Sequence, residues 1–462
     1  SLAKPRSTHP TRPSGARMLV ELLNRHLLQP LAAAKNRSRH LAHLRLLRQT
    51  QFDPPAVIRG RQLAMLKAAL RHAFDTVPYY AQSWKKAGVH PNDLRALEYL
   101  RHFPILTKAD IRANERELLS NRFDSAKLLV KTTSGSTGVP LRIRIDEAGK
   151  QWKAACTLRS DEWSGYRLGQ RVAKVWGNPE YRQFGFRGRL RNTLLDRAVY
   201  LDTLNLDDAR IHSFAEMLRR HRPGLLFGHA HSLYLLADRM KKAGITGVRP
   251  HGIVSTAMPL HAWQRTVIED VFGTKATNRY GCEEVSLIAC ECDQHRGLHV
   301  NADSVFVEVE GGGPTGNLLV TDLTNFAMPL IRYRIGDVVT MADRACGCGR
   351  GLPLVESVEG RDADYVVTPS GSLISGISLT ENFALHIPGA AQVQIVQETV
   401  HHLRIRLVPD DRYDANGERT IARLVRDTFG PTVRHDVELV SAIPQEPSGK
   451  YRFCISNVPR AA

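Results

Sequence analysis

Apolar positions along the chain recur at two periods. After Arg17, the residues Met18, Leu19, Leu22, Leu23 and Leu27 recur near every 3.6 residues, which predicts an amphipathic helix closed by Pro30. Leu41, Leu44 and Leu47 predict a second, basic helix from Ser38 to Arg48, and a third helical pattern runs from Arg61 to about Lys86. Further on, helical and strand-like stretches alternate, which predicts an α/β domain with mainly parallel sheets. The run from Leu225 to Ser232 reads as a buried strand ending in a Gly/His turn, where ligands sit in such folds. Phe227, Gly228 and His229 are therefore candidate substrate residues; His229 and His231 fit a substrate contact or a bond to polar backbone equally well. Residues 361–462 predict a smaller α+β unit, with strands at Gln392–Val396 and Leu403–Leu407 and a helix near Thr420–Thr428. The expected division is residues 1–60 as a basic tail with helices, 61–360 as the large domain and 361–462 as the lid.

Composition changes this picture in three places. A chain of 462 residues with 42% hydrophobic content is a globular protein of two or three domains. No apolar run approaches the ~20 residues that span a bilayer, and no signal-peptide pattern opens the chain, so a cytoplasmic location is expected. The formal charge is +18, and residues 1–50 carry ten Lys or Arg against Glu21 alone, so half of the surplus lies there. Such a surface favours anionic partners. The basic helices suit an anionic membrane surface or a layer packed on the main domain with a solvated basic face; the second is the expectation, with residues 1–16 as a disordered tail. The charge collects in a tail without a nucleic-acid-binding signature, so no specific nucleic-acid partner is expected. Seven cysteines, four of them in two Cys-x-Cys pairs, do not form a secreted disulfide framework and suggest a metal site.

The densest chemistry lies in Lys131-Thr132-Thr133-Ser134-Gly135-Ser136-Thr137-Gly138-Val139-Pro140-Leu141. Gly135 and Gly138 let backbone amides approach a polyanion, and the hydroxyls add donors to an anion-binding nest. No Gly-Lys-Ser/Thr follows, so this is not the loop of a P-loop NTPase. A hydroxyl-rich surface turn is the plainer alternative.

Further segments place the loop in context. Thr76-Val77-Pro78-Tyr79-Tyr80, Ala87-Gly88-Val89 and Phe103-Pro104-Ile105-Leu106-Thr107-Lys108-Ala109-Asp110 precede it, and Tyr280-Gly281-Cys282-Glu283-Glu284 and Tyr333-Arg334-Ile335-Gly336-Asp337 follow. In this order they resemble the phenylacetate–CoA ligase family of the adenylate-forming superfamily, with its relatives in capsule and exopolysaccharide biosynthesis. The resemblance runs from about residue 65 to the C-terminus. It implies that Thr132, Thr133, Ser134, Gly135, Ser136, Thr137 and Gly138 grip the phosphates of ATP, that Ala257, Met258 and Pro259 lie against adenine, and that Tyr280 with Gly281 packs on the base. It further implies Glu284 as the Mg²⁺ ligand, Asp337 and Arg361 at the ribose, and Lys450 as the mobile catalytic cation of the lid. The chain departs from the family pattern at Glu283 and Ile335, each in place of threonine, and at Ala363 in the hinge turn Gly360-Arg361-Asp362-Ala363-Asp364.

Cys290-Glu291-Cys292, His295, His299 and Cys346-Gly347-Cys348-Gly349-Arg350 resemble a zinc site of some phenylacetate–CoA ligase relatives. Cys292, His299, Cys346 and Cys348 are the expected ligands, with Cys290 and His295 as replacements; four protein ligands imply a structural ion. Cys156, Cys282 and Cys454 are expected to stand apart. The implied activity is an AMP-forming acid ligase: a small carboxylic acid and MgATP give an acyl-adenylate, and the acyl group passes to coenzyme A. An amine acceptor such as an amino sugar is the alternative, favoured by the unusual Thr368–Ile374 stretch. A homodimer is compatible with all of this.

Overall fold

The computed structural model describes residues 15–132, 141–175, 185–201, 208–361, 365–369, 373–375, 387–444 and 454–458. Residues 1–14, Thr133 to Gly138 of the hydroxyl-rich loop, the hinge residues 362–364 and Lys450 lie outside them.

An antiparallel hairpin, β1 (Leu129–Thr132) and β2 (Arg142–Ile145), carries the hydroxyl-rich loop between its strands. A single 11-stranded sheet follows. Its strands are β3 (Val172–Val175), β4 (Ala198–Leu201), β5 (Leu225–His229), β6 (Gly252–Thr256), β7 (Ala276–Cys282), β8 (Ser286–Glu291), β9 (Leu298–Val300), β10 (Val305–Val309), β11 (Thr315–Asp322), β12 (Tyr333–Met341) and β13 (Leu354–Arg361). The spatial order is β10-β11-β12-β13-β9-β8-β7-β6-β5-β3-β4. From β7 to β4 the pairs are parallel; from β8 to β10 they are antiparallel. The sequence explains the change. β5 and β6 are short apolar runs, buried on both faces as parallel strands are. β12 alternates buried and half-buried positions, as a strand with one wetter face does.

The predicted helix over Arg61–Lys86 is two helices, Pro55–Thr76 and Pro78–Ala87. Val77 is extended at φ −116°, ψ 109°, because the ring of Pro78 disfavours helical backbone in the residue before it. The turn delivers Tyr80 and Trp84 to the largest core, beside Phe103 and the buried faces of β11 and β12. Tyr80 Oη donates to the Pro329 carbonyl at 2.8 Å and accepts from Ile331 N–H at 3.1 Å.

The C-terminal unit holds a hairpin, β14 (Tyr365–Val367) with β15 (Leu373–Ser375), and a second sheet. That sheet comprises β16 (Ala390–Thr399), β17 (His402–Pro409), β18 (Arg434–Leu439) and β19 (Cys454–Ser456) in the order β18-β17-β16-β19. The helix Ala415–Phe429, capped by Asp414, covers it through Ile421, Leu424, Val425 and Phe429. The expected strands and helix lie inside longer elements. The fold is thus α/β, a large sheet with helices followed by a small sheet domain.

The N-terminal helices depart from expectation twice. Pro30 does not close the first helix: a widened turn over Asn24–Leu28 joins Gly15–Leu23 to Gln29–Lys35, and Pro30 falls in the first turn of the second segment, where a missing N–H is tolerated. Nor does the first helix bury its apolar side. Asn24 Nδ2 bonds the Leu194 carbonyl, Gln29 Nε2 the Leu195 carbonyl at 3.0 Å, and Arg25 Nε the Leu168 carbonyl at 2.7 Å. The polar side therefore docks, while Leu19, Leu22, Leu23, Leu27 and Leu31 face outward. The next helix, His40–Thr50, packs conventionally through Leu44 and Leu47 against Ala155 and Cys156.

Candidate functional site

β7 is the seam of the large sheet, parallel to β6 on one side and antiparallel to β8 on the other. Tyr280 and Gly281 stand at its end. A Cβ on Gly281 would lie 2.4 Å from the Ser286 carbonyl oxygen, so the hairpin closes this tightly only around glycine. Tyr280 Oη donates to Asp337 Oδ2 at 2.6 Å. Asp337 is buried on β12, straight after Gly336 at φ +94°, and its cross-strand partner on β13 is Arg361. Glu284, also buried, accepts a 2.9 Å bond from Tyr333 Oη, again from β12. The β7–β8 turn and β12 therefore meet through two tyrosine–carboxylate bonds, although β9 and β13 stand between β8 and β12 in the sheet.

The hairpin that carries the hydroxyl-rich loop is tied to the same turn. Lys131 Nζ lies 3.3 Å from Glu283 and 3.4 Å from Ser286 Oγ. Thr132, the last residue of β1, is the register partner of Arg142. Glu283, which replaces the family threonine, thus holds the base of the loop. Sequence reasoning quoted Lys131 and Tyr333 within motifs and gave neither a role; their partners are more than 45 residues distant and leave no local signal.

Strand register brings three further candidates to this end of the sheet. His229 pairs with Thr256, and Ser255 pairs with Asn278, so the turn after β6 lies beside Tyr280. Ala257 begins that turn at φ +68°, an uncommon conformation for a residue with a side chain, and Met258 and Pro259 follow. Gly228 fits where a Cβ would meet the Val175 carbonyl oxygen at 2.8 Å. Phe227 lies under the Arg279 guanidinium, 5.4 Å from its ring centre, and Arg279 forms a buried ion pair with Asp161. Burial pushes the Asp161 carboxyl up, against the pull of Arg279. His229 is buried.

Away from this site, Cys292, His299, Cys346 and Cys348 bring their ligand atoms within 4.8 Å of one another. The Cys292 and Cys346 sulfurs are 3.7 Å apart, and Cys348 Sγ is 3.3 Å from His299 Nε2. Burial, then the Arg350 and Arg159 charges, pushes His299 down to about 4 against the opposing Leu352 carbonyl, so the imidazole is neutral and ready to ligate. Three thiols and one neutral imidazole suit zinc. Arg350 closes the cluster: it stacks on Trp163 and Phe52, 5.0 and 5.5 Å from their ring centres, and bonds Gln51 Oε1 at 3.1 Å. The two substitutes are otherwise engaged. Cys290 packs with Ile58, Trp163 and Leu352, and burial holds its thiol near 12. His295 Nδ1 is 3.2 Å from Glu291.

Residues 366–457 match the CapK C-terminal domain. The chain is 26% identical over 346 residues to a phenylacetate–coenzyme A ligase of Pseudomonas putida, covering 71% of this chain and 76% of that protein. It is 24% identical over 399 residues to Protein CapK of Staphylococcus aureus, covering 82% and 85%. A 2-hydroxyisobutyryl-CoA ligase solved in the postadenylation state with 2-HIB-AMP superposes with a TM-score of 0.69 at 21% identity, over 87% of this chain and 90% of that one. The chain is a homologue of the phenylacetate–coenzyme A ligases and of CapK, with the fold of the adenylate-forming superfamily.

Proposed function

We propose that the protein is an AMP-forming acid ligase: a carboxylate attacks the α-phosphate of ATP, pyrophosphate leaves, and the acyl group of the adenylate passes to coenzyme A. The observation that carries this reading is the convergence of Tyr280, Asp337 and Glu284 beside the hairpin that bears the hydroxyl-rich loop. Asp337, held by Tyr280, would accept both ribose hydroxyls, and the Tyr280 ring would offer a face to adenine. Thr133 to Gly138 would supply donors to the phosphates, and Ala257 to Pro259 would line the base. Glu284 would hold Mg²⁺, which neutralises phosphate charge when bound. Lys450 would stabilise charge on the α-phosphate once the lid closes, and Arg361 would reach the ribose. Phe227, Gly228 and His229, at the end of β5, would border the acid.

Zinc at Cys292, His299, Cys346 and Cys348 would be structural, far from the reacting groups in role. The relatives named as coenzyme A ligases favour the thioester product over an amide. ATP–pyrophosphate exchange over aryl, fatty and amino acids tests adenylation, with Lys450→Ala as the control. Exchange with one acid class, lost by about a hundredfold or more in the variant, supports the reading; coenzyme A and amines are then compared as acceptors by product mass. ATP binding without exchange for any acid would count against it.

A further inference from the structure

The helix over residues 15–35 is inside out. Its amide and guanidinium side chains dock on the protein through Asn24, Arg25 and Gln29. A Cβ on Gly169 would lie 2.7 Å from the Glu21 carbonyl oxygen, so the docked side fits closely. The opposite side shows Leu19, Leu23, Leu27 and Leu31 in one row, with Met18 and Leu22 beside it; Leu19 is 67% exposed. An element that needed only core burial would turn the other way.

A second element continues the surface. The widened turn Asn192–Asp196, which follows the helix Phe186–Arg191, supplies the backbone carbonyls of Leu194 and Leu195 that hold Asn24 and Gln29. Phe186, Leu190 and Leu194, spaced by four, are exposed, Phe186 by 80%. Arg187, Arg189 and Arg191 are exposed on the same short stretch, against Asp196 alone, which pairs with Arg191. An apolar row about 18 Å long from Leu19 to Leu31, with a second exposed apolar stretch beside it that carries arginines, is complementary to an apolar layer beneath a negatively charged surface.

We propose that these two elements form a peripheral docking face for an anionic lipid bilayer, with the leucine row and Phe186 entering the acyl boundary and the arginines meeting the headgroups. No helix among the described residues is long and apolar enough to cross a membrane, so the contact lies in the plane of the interface. The proposal stands on the inverted helix and is independent of the ligase reading.

The test is co-sedimentation of the full chain with vesicles of phosphatidylcholine alone or mixed with phosphatidylglycerol. Wild type should sediment with the mixed vesicles and be released by salt. Leu23→Ser with Leu27→Ser should lower the partition coefficient at least about tenfold, and Arg187→Gln with Arg189→Gln about tenfold on anionic vesicles alone. All four positions are exposed, so unchanged melting temperatures certify the folds. Wild type that ignores anionic vesicles, or variants that bind as well as wild type, would overturn the proposal. So would a dimer that the leucine substitutions convert to monomer while wild type fails to bind lipid, which would assign the face to a second copy.

Discussion

Zinc held by the four-residue cluster, as proposed, would on removal loosen the large domain by an amount the position of the cluster sets. Cys292 follows β8, His299 lies on β9, and Cys346 and Cys348 sit between β12 and β13, so an ion there links segments 54 residues apart. Loop-closure entropy for such a link is about 4 kcal/mol at 25 °C. Spread over a domain of this size, that loss lowers the melting temperature by roughly 5–10 °C. Burial pushes the Cys292 thiol up, so a cation that binds there displaces its proton. The assay is elemental analysis of the purified protein, then melting before and after dialysis against a chelator, for wild type and for Cys346→Ser with Cys348→Ser. One zinc per chain, a chelator-induced fall in wild type and none in the variant are the expected results. Protein purified without metal, whose melting neither chelator nor substitution moves, would refute the reasoning.

Glu284→Gln should lower exchange by about a hundredfold and raise the Mg²⁺ concentration it needs, whereas Tyr333→Phe, which removes only the 2.9 Å bond to Glu284, should cost about tenfold; titration of exchange against Mg²⁺ reads both. Gly281→Ala forces a Cβ against the Ser286 carbonyl and should abolish ATP binding in calorimetry before it abolishes folding. Glu291 accepts two bonds from Arg265, at 2.7 and 2.9 Å, and one from Asn278 N–H at 2.7 Å. Despite burial, its His295 and Arg265 partners hold its carboxyl below the ordinary 4.5. Its stabilising share is therefore complete above pH 4.5 and fades as the pH falls through its lower folded value. Glu291→Gln should cost about 3 kcal/mol at neutral pH and flatten the acid limb of a melting-temperature profile; an unchanged acid limb would count against this.

The α/β architecture was legible because parallel strands such as β4 and β5 are short, mainly apolar runs and the strands of the C-terminal sheet alternate. Gln392–Val396 and Leu403–Leu407 were seen because Ile395, Leu403, Ile405 and Leu407 face one core, while the terminal positions of β16 and β17 are half-buried or exposed and escaped. The break at Val77 was written in Pro78 but masked by apolar spacing that runs on through Phe74, Val77, Tyr80 and Trp84. Periodicity shows that the helix after Gly15 has two faces, not which one docks; carbonyls of Leu168, Leu194 and Leu195 decide that, and no local pattern reports them. The Tyr280–Asp337 and Tyr333–Glu284 bonds escaped for the same reason, since they join motifs 57 and 49 residues apart.

β13 has a mechanical role that its sequence does not advertise. At its start, Leu354 and Val355 are laced to β9, and the Cys346–Cys348 turn clamps the chain just ahead of them. At its other end Arg361 is paired with Asp337, and the C-terminal domain begins immediately beyond. Both ends of the strand are therefore paired into the large sheet, and Asp337 lies opposite its last residue. On the proposed reading, a C-terminal domain that turned beyond Arg361 would leave Asp337 held by the β12–β13 pairing, and a nucleotide there would stay seated while one partner was exchanged for the next.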